Sequence, residues 1–161
     1  MSVASVKSAL QRARPALQEH LPRHRVDWAP GADPTAEERA LLARYMAVAE
    51  QGGAADWERL MSEDIRVTMP PNPIWFAGRR PLVEYLAQLF DPTSPLHIGA
   101  WRYVPTRANR QPAAAAYVRR PGTTVYRAQV LDVLRVERGV VVEVTAFEPH
   151  LFPAFGLPLT L

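Results

Sequence analysis

Residues 98–148 read IGAWRYVPTRANRQPAAAAYVRRPGTTVYRAQVLDVLRVERGVVVEVTAFE. Apolar and polar side chains alternate through much of this stretch, the period of a β-strand with one buried face. Three turn signals divide it: Asn109-Arg110, Pro121-Gly122 and Arg138-Gly139. The reading predicts four strands, at about 98–108, 112–119, 124–137 and 140–148. Consecutive strands joined by such short turns must run antiparallel, because a parallel neighbour needs a long crossover.

The residues upstream alternate with a different period. Thr35 and Glu38 form a T-x-x-E capping box behind Pro34. Leu41, Leu42, Tyr45, Met46 and Ala49 then follow helical spacing, until Gly52-Gly53 ends the helix. Residues 55–61 predict a short helix that buries Trp57 and Leu60. Ile65, Val67 and Met69 alternate with polar residues as a strand does, and Pro70-Pro71 closes it. Residues 80–90 predict a third helix, with Leu82, Leu86 and Leu89 inward.

Helices followed by a meander give an α+β fold: a curved antiparallel sheet wrapped round the helices as a cone with one open end. Such cones often enclose a ligand cavity. The tail from Pro149 to Leu161 carries Phe152, Phe155, Leu157 and Leu159, and is expected to pack on the sheet or in a partner interface.

Before this domain, assigned to residues 35–161, stands a predicted helix over residues 3–20, broken or kinked at Pro15. Val6, Leu10 and Ala13 share one side of it, and Lys7, Arg12 and Arg14 give it a basic face. Residues 21–34, with their prolines, read as a linker. The 161 residues are 48% apolar, enough for a core, with no run long enough to span a membrane and no secretion signal. Cysteine is absent, so disulfides, thiol chemistry and the common structural zinc sites are excluded. A cytoplasmic protein with no membrane partner is the expectation. A net charge of +3 is a mild basic bias.

Asp132 is the most informative single residue. In VLDVLRV it sits among Val130, Val133 and Leu134 with no cation beside it. Burial there raises its pKa toward neutrality, which suits a general acid or base. The plainer reading pairs it with Arg119 or Arg127 on the other face. Met69, Trp75, Phe76, Trp101, Val144, Ala146 and Phe147 are candidates for the apolar wall of a pocket, and equally for ordinary core. Trp75 and Phe76, in an apolar loop, are candidates for its mouth or lid. His97 and His150 are the domain's histidines, and no metal-binding spacing surrounds either, so neither metal nor cofactor is expected.

Several longer motifs carry a resemblance. ERALLARYMAVAEQGGAADWERLMSEDIRVTMPPNPIWFAGR (residues 38–79), VPTRANRQPAAAAYVRR (104–120), VLDVLRVERG (130–139) and EVTAFEPHLFPAFGLP (143–158) resemble a SnoaL-like, nuclear-transport-factor-2-like domain. In detail they are similar to the C-terminal domain of actinobacterial extracytoplasmic-function sigma factors of the sigma-70 family. SVASVKSALQRARPAL (2–17) resembles the recognition helix of sigma region 4. The resemblance implies a small-molecule-binding or regulatory domain that modulates transcription initiation, with an apolar ligand in the cone. In a full-length factor its partners would be RNA polymerase and the other sigma regions. It also implies phosphate or base contacts for Lys7, Ser8, Arg12 and Arg14. A lone recognition helix cannot fix its docking angle, so in this chain alone these residues are read as a solvated basic face.

The rival reading is a stand-alone SnoaL-like enzyme, a cyclase, isomerase or hydratase acting on an apolar natural product. Asp132 would be its acid/base, with Tyr117, Tyr126 or His97 orienting the substrate. The Arg-Asp-Asp arrangement of the epoxide hydrolases of this fold is not preserved: its last-strand aspartate falls on Ala146, and its Arg-x-Asp pair near Tyr117 and Arg119. A third reading is a homodimerisation module using an apolar convex sheet face of Leu131, Val133 and Val141.

Overall fold

The computed structural model describes residues 3–20, 33–51 and 53–161. The chain divides into two units, Met1–Gly31 and Ala32–Leu161. The first contains helix α1 (Val3–His20), which runs through Pro15 instead of breaking there. Lys7 and Arg12 are exposed on it, and Arg12 Nη1 donates to Ser8 Oγ at 3.1 Å. The side chain of Arg14 and most of the expected linker, residues 21–32, lie outside the described residues.

In the second unit the capping box forms as its residues dictate. Glu38 N–H donates to Thr35 Oγ1 at 3.1 Å, and Thr35 N–H donates to the Glu38 carboxylate at 2.7 Å. Helix α2 (Ala36–Gln51) follows, then α3 (Ala54–Leu60), strand β1 (Met61–Thr68), the short β2 (Trp75–Ala77) and helix α4 (Arg79–Phe90). The meander comprises β3 (Ala100–Ala108), β4 (Gln111–Arg119), β5 (Arg127–Glu137) and β6 (Val140–Phe147), and a 3-10 helix spans Pro149–Phe155.

The six strands form one curved sheet in the order β2-β1-β6-β5-β4-β3. The meander is antiparallel throughout, whereas β1 joins the far side of β6 in parallel. Strand β2, read from sequence as loop, adds antiparallel to the outer edge of β1. Asn109 and Arg110 both take positive φ, as do Arg138 and Gly139, which matches the twist of tight hairpins. At the entry to β3, a Cβ on Gly99 would stand 2.2 Å from the Arg119 carbonyl oxygen, so this close approach requires glycine.

Each face of the sheet carries its own apolar cluster. On the concave face, Leu41, Tyr45, Trp57, Ile65 and Leu82 pack against Leu134, Val141 and Val144. On the convex face, Tyr117, Leu131 and Val133 pack against Phe152, with Phe155 and Leu157 beside them. The chain's own tail therefore covers the face expected to serve a dimer contact. Val141 belongs to the opposite, helix-covered face, because a register shift at Arg135/Val136 changes the phase of its pairing. The tail ends in a single antiparallel bridge, Thr160 against Arg127: Ala128 N–H donates to the Leu159 carbonyl at 2.9 Å, and Leu161 N–H to the Tyr126 carbonyl at 2.9 Å. It thereby satisfies backbone groups along β5 that β6 does not reach.

Candidate functional site

Period-two alternation on β5 sends Leu131 and Val133 to the convex cluster and Val130 and Asp132 to the other face. There the sheet and helices α2, α3 and α4 do not fill the space between them, and a cavity of about 560 Å³ remains. The room above Asp132 has a local cause. Its direct cross-strand neighbours are Ala114 on β4 and Ala146 on β6, so methyl groups flank the carboxylate on both sides. Larger residues at either position would close over it.

Asp132 is 6% exposed. Tyr45, reaching from α2, donates its hydroxyl to Asp132 Oδ2 at 3.1 Å. Burial raises the carboxyl from its ordinary 3.8 to about 7, and the Tyr45 hydrogen bond acts in the opposite sense. The hydroxyls of Tyr45 and Tyr103 are pushed well above 10, first by burial and then by the nearby Asp132 charge. Neither tyrosine ionises at physiological pH, and Tyr45 is the donor to Asp132.

Around this group the aromatic rings close a circuit. Tyr45 meets Trp57 edge-on with centroids 5.2 Å apart, and Trp57 stacks on Phe90 at 5.9 Å. Phe90 meets Trp101 at 5.5 Å, Trp101 stacks on Tyr103 at 6.1 Å, and Tyr103 returns to Tyr45 at 6.5 Å. All five residues line the cavity. The indole Nε1 atoms of Trp57 and Trp101 are buried with no acceptor among the described residues. At the rim, Asn72 Nδ2 donates to Glu148 Oε1 at 3.2 Å, tying the loop after β1 to the end of β6.

Met69, Trp101, Val144, Ala146 and Phe147 line the cavity. Trp75 does not: it lies on β2, 67% exposed. Nor does Phe76, which packs against the Tyr85 ring at 5.0 Å. Pairing with β1 makes their segment an edge strand in place of the expected loop.

The other candidate catalytic residues are also elsewhere. Tyr117 is on the convex face, edge-on to Phe152, and donates its hydroxyl to the Pro158 carbonyl at 2.9 Å. Its role is to hold the tail. Tyr126 is near the same cluster, with the guanidinium groups of Arg102 and Arg119 at 5.5 and 5.4 Å from its ring centre. His97 is half-buried in the loop before β3 and does not line the cavity. His150 is exposed, with Nδ1 3.5 Å from Glu148 Oε2.

The hydroxyl bonded to Asp132 comes from Tyr45, and Tyr103 lines the same cavity close enough to feel its charge. Sequence reading placed Tyr45 in a buried helical stripe and gave Tyr103 no role. The available signal was chemical: a buried tyrosine hydroxyl needs a polar partner, and a buried aspartate supplies one. Such a carboxyl, close to half-ionised at neutral pH in an apolar chamber, can exchange a proton with a ligand or bind its donor. Among the described residues no three His, Asp or Glu side chains gather closely enough to hold a metal ion.

Comparison with known proteins places this geometry. The chain is 35% identical to the ECF RNA polymerase sigma factor SigG of Mycobacterium tuberculosis over 161 residues, 99% of this chain, but spans only 42% of that protein's length. A proposed ketosteroid isomerase from Kribbella flavida shares the fold with a TM-score of 0.56 and 22% identity, over 71% of this chain and 79% of that one. An LEH-like epoxide hydrolase of M. tuberculosis does so with a TM-score of 0.55 and 11% identity, over 71% and 84%. Residues 42–144 match the family model described as a SnoaL-like domain, and the chain belongs to the SnoaL-like family.

Proposed function

We propose that residues 35–161 are a small-molecule-binding, regulatory domain of a sigma factor, and that α1 is the end of that factor's DNA-binding region. The observation that carries this reading is the extent of the likeness to the sigma factor, which runs across α1 as well as the domain. The cavity around Asp132 supports the small-molecule part. Lys7, Arg12 and Arg14 would then contact DNA only as part of the longer factor, whose other regions and RNA polymerase are the partners. A ligand shifts the activity of such a factor by binding one arrangement of its regions better than another. Because the apolar tail is already packed on the convex sheet, that coupling must run through other surfaces. The test is promoter-specific transcription by the full-length factor with and without residues 35–161. The reading predicts altered initiation on deletion, and unchanged initiation removes it.

One observation favours a second, enzymatic reading: a carboxyl with a pKa of about 7 inside an apolar cavity. In that case Asp132 moves the proton and Tyr45 and Tyr103 orient the substrate, in the place expected of Tyr117, Tyr126 and His97. Asp132→Asn would then abolish turnover while leaving binding intact. A homodimer would need a surface other than Leu131 and Val133.

A further inference from the structure

The charged residues of the cavity are all of one sign. Asp132 within and Glu148 at the rim line it, and no lysine, arginine or histidine does, in a chain with 19 Lys and Arg against 16 Asp and Glu. Among the described residues no cation pairs with Asp132; its partner, Tyr45, gives a hydrogen bond but no charge. A buried carboxylate without a counter-ion is costly, and a ligand that supplies one recovers that cost. The rings of Tyr45, Trp57, Phe90, Trp101 and Tyr103 stand around the same space, and desolvated aromatic rings attract organic cations.

We propose that the cavity takes an apolar organic amine, held as its ammonium ion by the Asp132 carboxylate among these aromatic rings. This deepens the ligand-binding reading above and rests on it. Glu148 at the rim favours entry of a cation. The titratable groups near Asp132 are Tyr45 from α2, which donates to it, and Tyr103 from β3, both neutral; from β4 and β6 its neighbours are Ala114 and Ala146. The carboxylate is therefore the switch: acidification that protonates it removes the counter-ion.

The test is calorimetric titration of the full chain with two probes of equal shape, 1-naphthylmethyl(dimethyl)amine and the uncharged 1-isobutylnaphthalene. At pH 8 the amine should bind about tenfold or more tightly. At pH 5 that preference should shrink, and Asp132→Asn should abolish it at both pH values. Equal or tighter binding of the neutral probe at pH 8 overturns the amine assignment while leaving a ligand-binding cavity in place. Failure of both probes to bind overturns the assignment and the ligand-binding reading together. Altered transcription on domain deletion, in contrast, is independent of either probe.

Discussion

The two faces of the meander are built from the same alternating strands, yet one is filled and the other is not. On the convex face the tail returns to supply Phe152, and Tyr117 fastens that tail through the Pro158 carbonyl. On the concave face the helices supply large aromatic rings that touch one another edge-on and in stacks, leaving a chamber in front of Asp132. Both faces are apolar, so hydrophobicity does not distinguish a core from a binding site. The difference lies in what each face must satisfy. The convex face buries a polar group that already has its partner. The concave face buries a carboxylate and two indole N–H groups that lack part of theirs. A carboxylate without a counter-ion beside open space, and not apolarity, is the ground for proposing a ligand on the concave face.

Substitutions on the two faces should therefore act in opposite directions. Phe152→Ala on the convex face removes a fully buried ring and should cost about 3–5 kcal/mol in urea unfolding, without moving the Asp132 titration. A smaller loss with a shifted titration would break the separation between the faces. Asp132→Asn on the concave face should stabilise the protein, and only above a certain pH. The folded state holds the carboxyl proton up to about pH 7, and an ordinary carboxyl releases it near 3.8. The wild type therefore loses stability as pH rises through that window, by an amount on the order of 4 kcal/mol. Unfolding curves of wild type and Asp132→Asn should coincide below pH 4 and diverge to a constant difference above pH 7, with the variant the more stable. Parallel curves at all pH values would mean that the group is not desolvated. Tyr117→Phe should have the smallest effect, a loss of about 1 kcal/mol from one hydrogen bond, seen in thermal unfolding with the cavity unaltered.

Much of this arrangement was legible in the residues, and the parts that were not share a cause. The capping box at Thr35, the stripe through Leu41 and Tyr45, and the hairpins at Asn109 and Arg138 are local chemistry, and they form where local chemistry puts them. Asp132 was legible as a carboxylate among apolar neighbours. Its separation from Tyr117 and Tyr126 was not: the pairing of Ala114 with Asp132 sets Tyr117 on the other face, and Tyr126, in phase with Asp132 along the chain, is turned over by the slip in β4–β5 pairing between Ala116 and Tyr117. The same kind of slip at Arg135 moved Val141 off the convex face. Trp75 and Phe76 look like a loop beside prolines, and only their pairing with Val67 and Thr68 across the intervening proline-rich turn makes them a strand. Tyr103 was hidden for another reason: it meets Tyr45 through contacts far apart in the chain, which no spacing encodes.

The account depends on a carboxylate kept from water beside an unfilled chamber. Its most direct test is a ¹³C NMR titration of the Asp132 side-chain carboxyl in the ligand-free chain, assigned by its loss in Asp132→Asn. The predicted inflection is at about pH 7. An inflection near 3.8, the ordinary value for aspartate, would show the group solvated or ion-paired and would contradict the account.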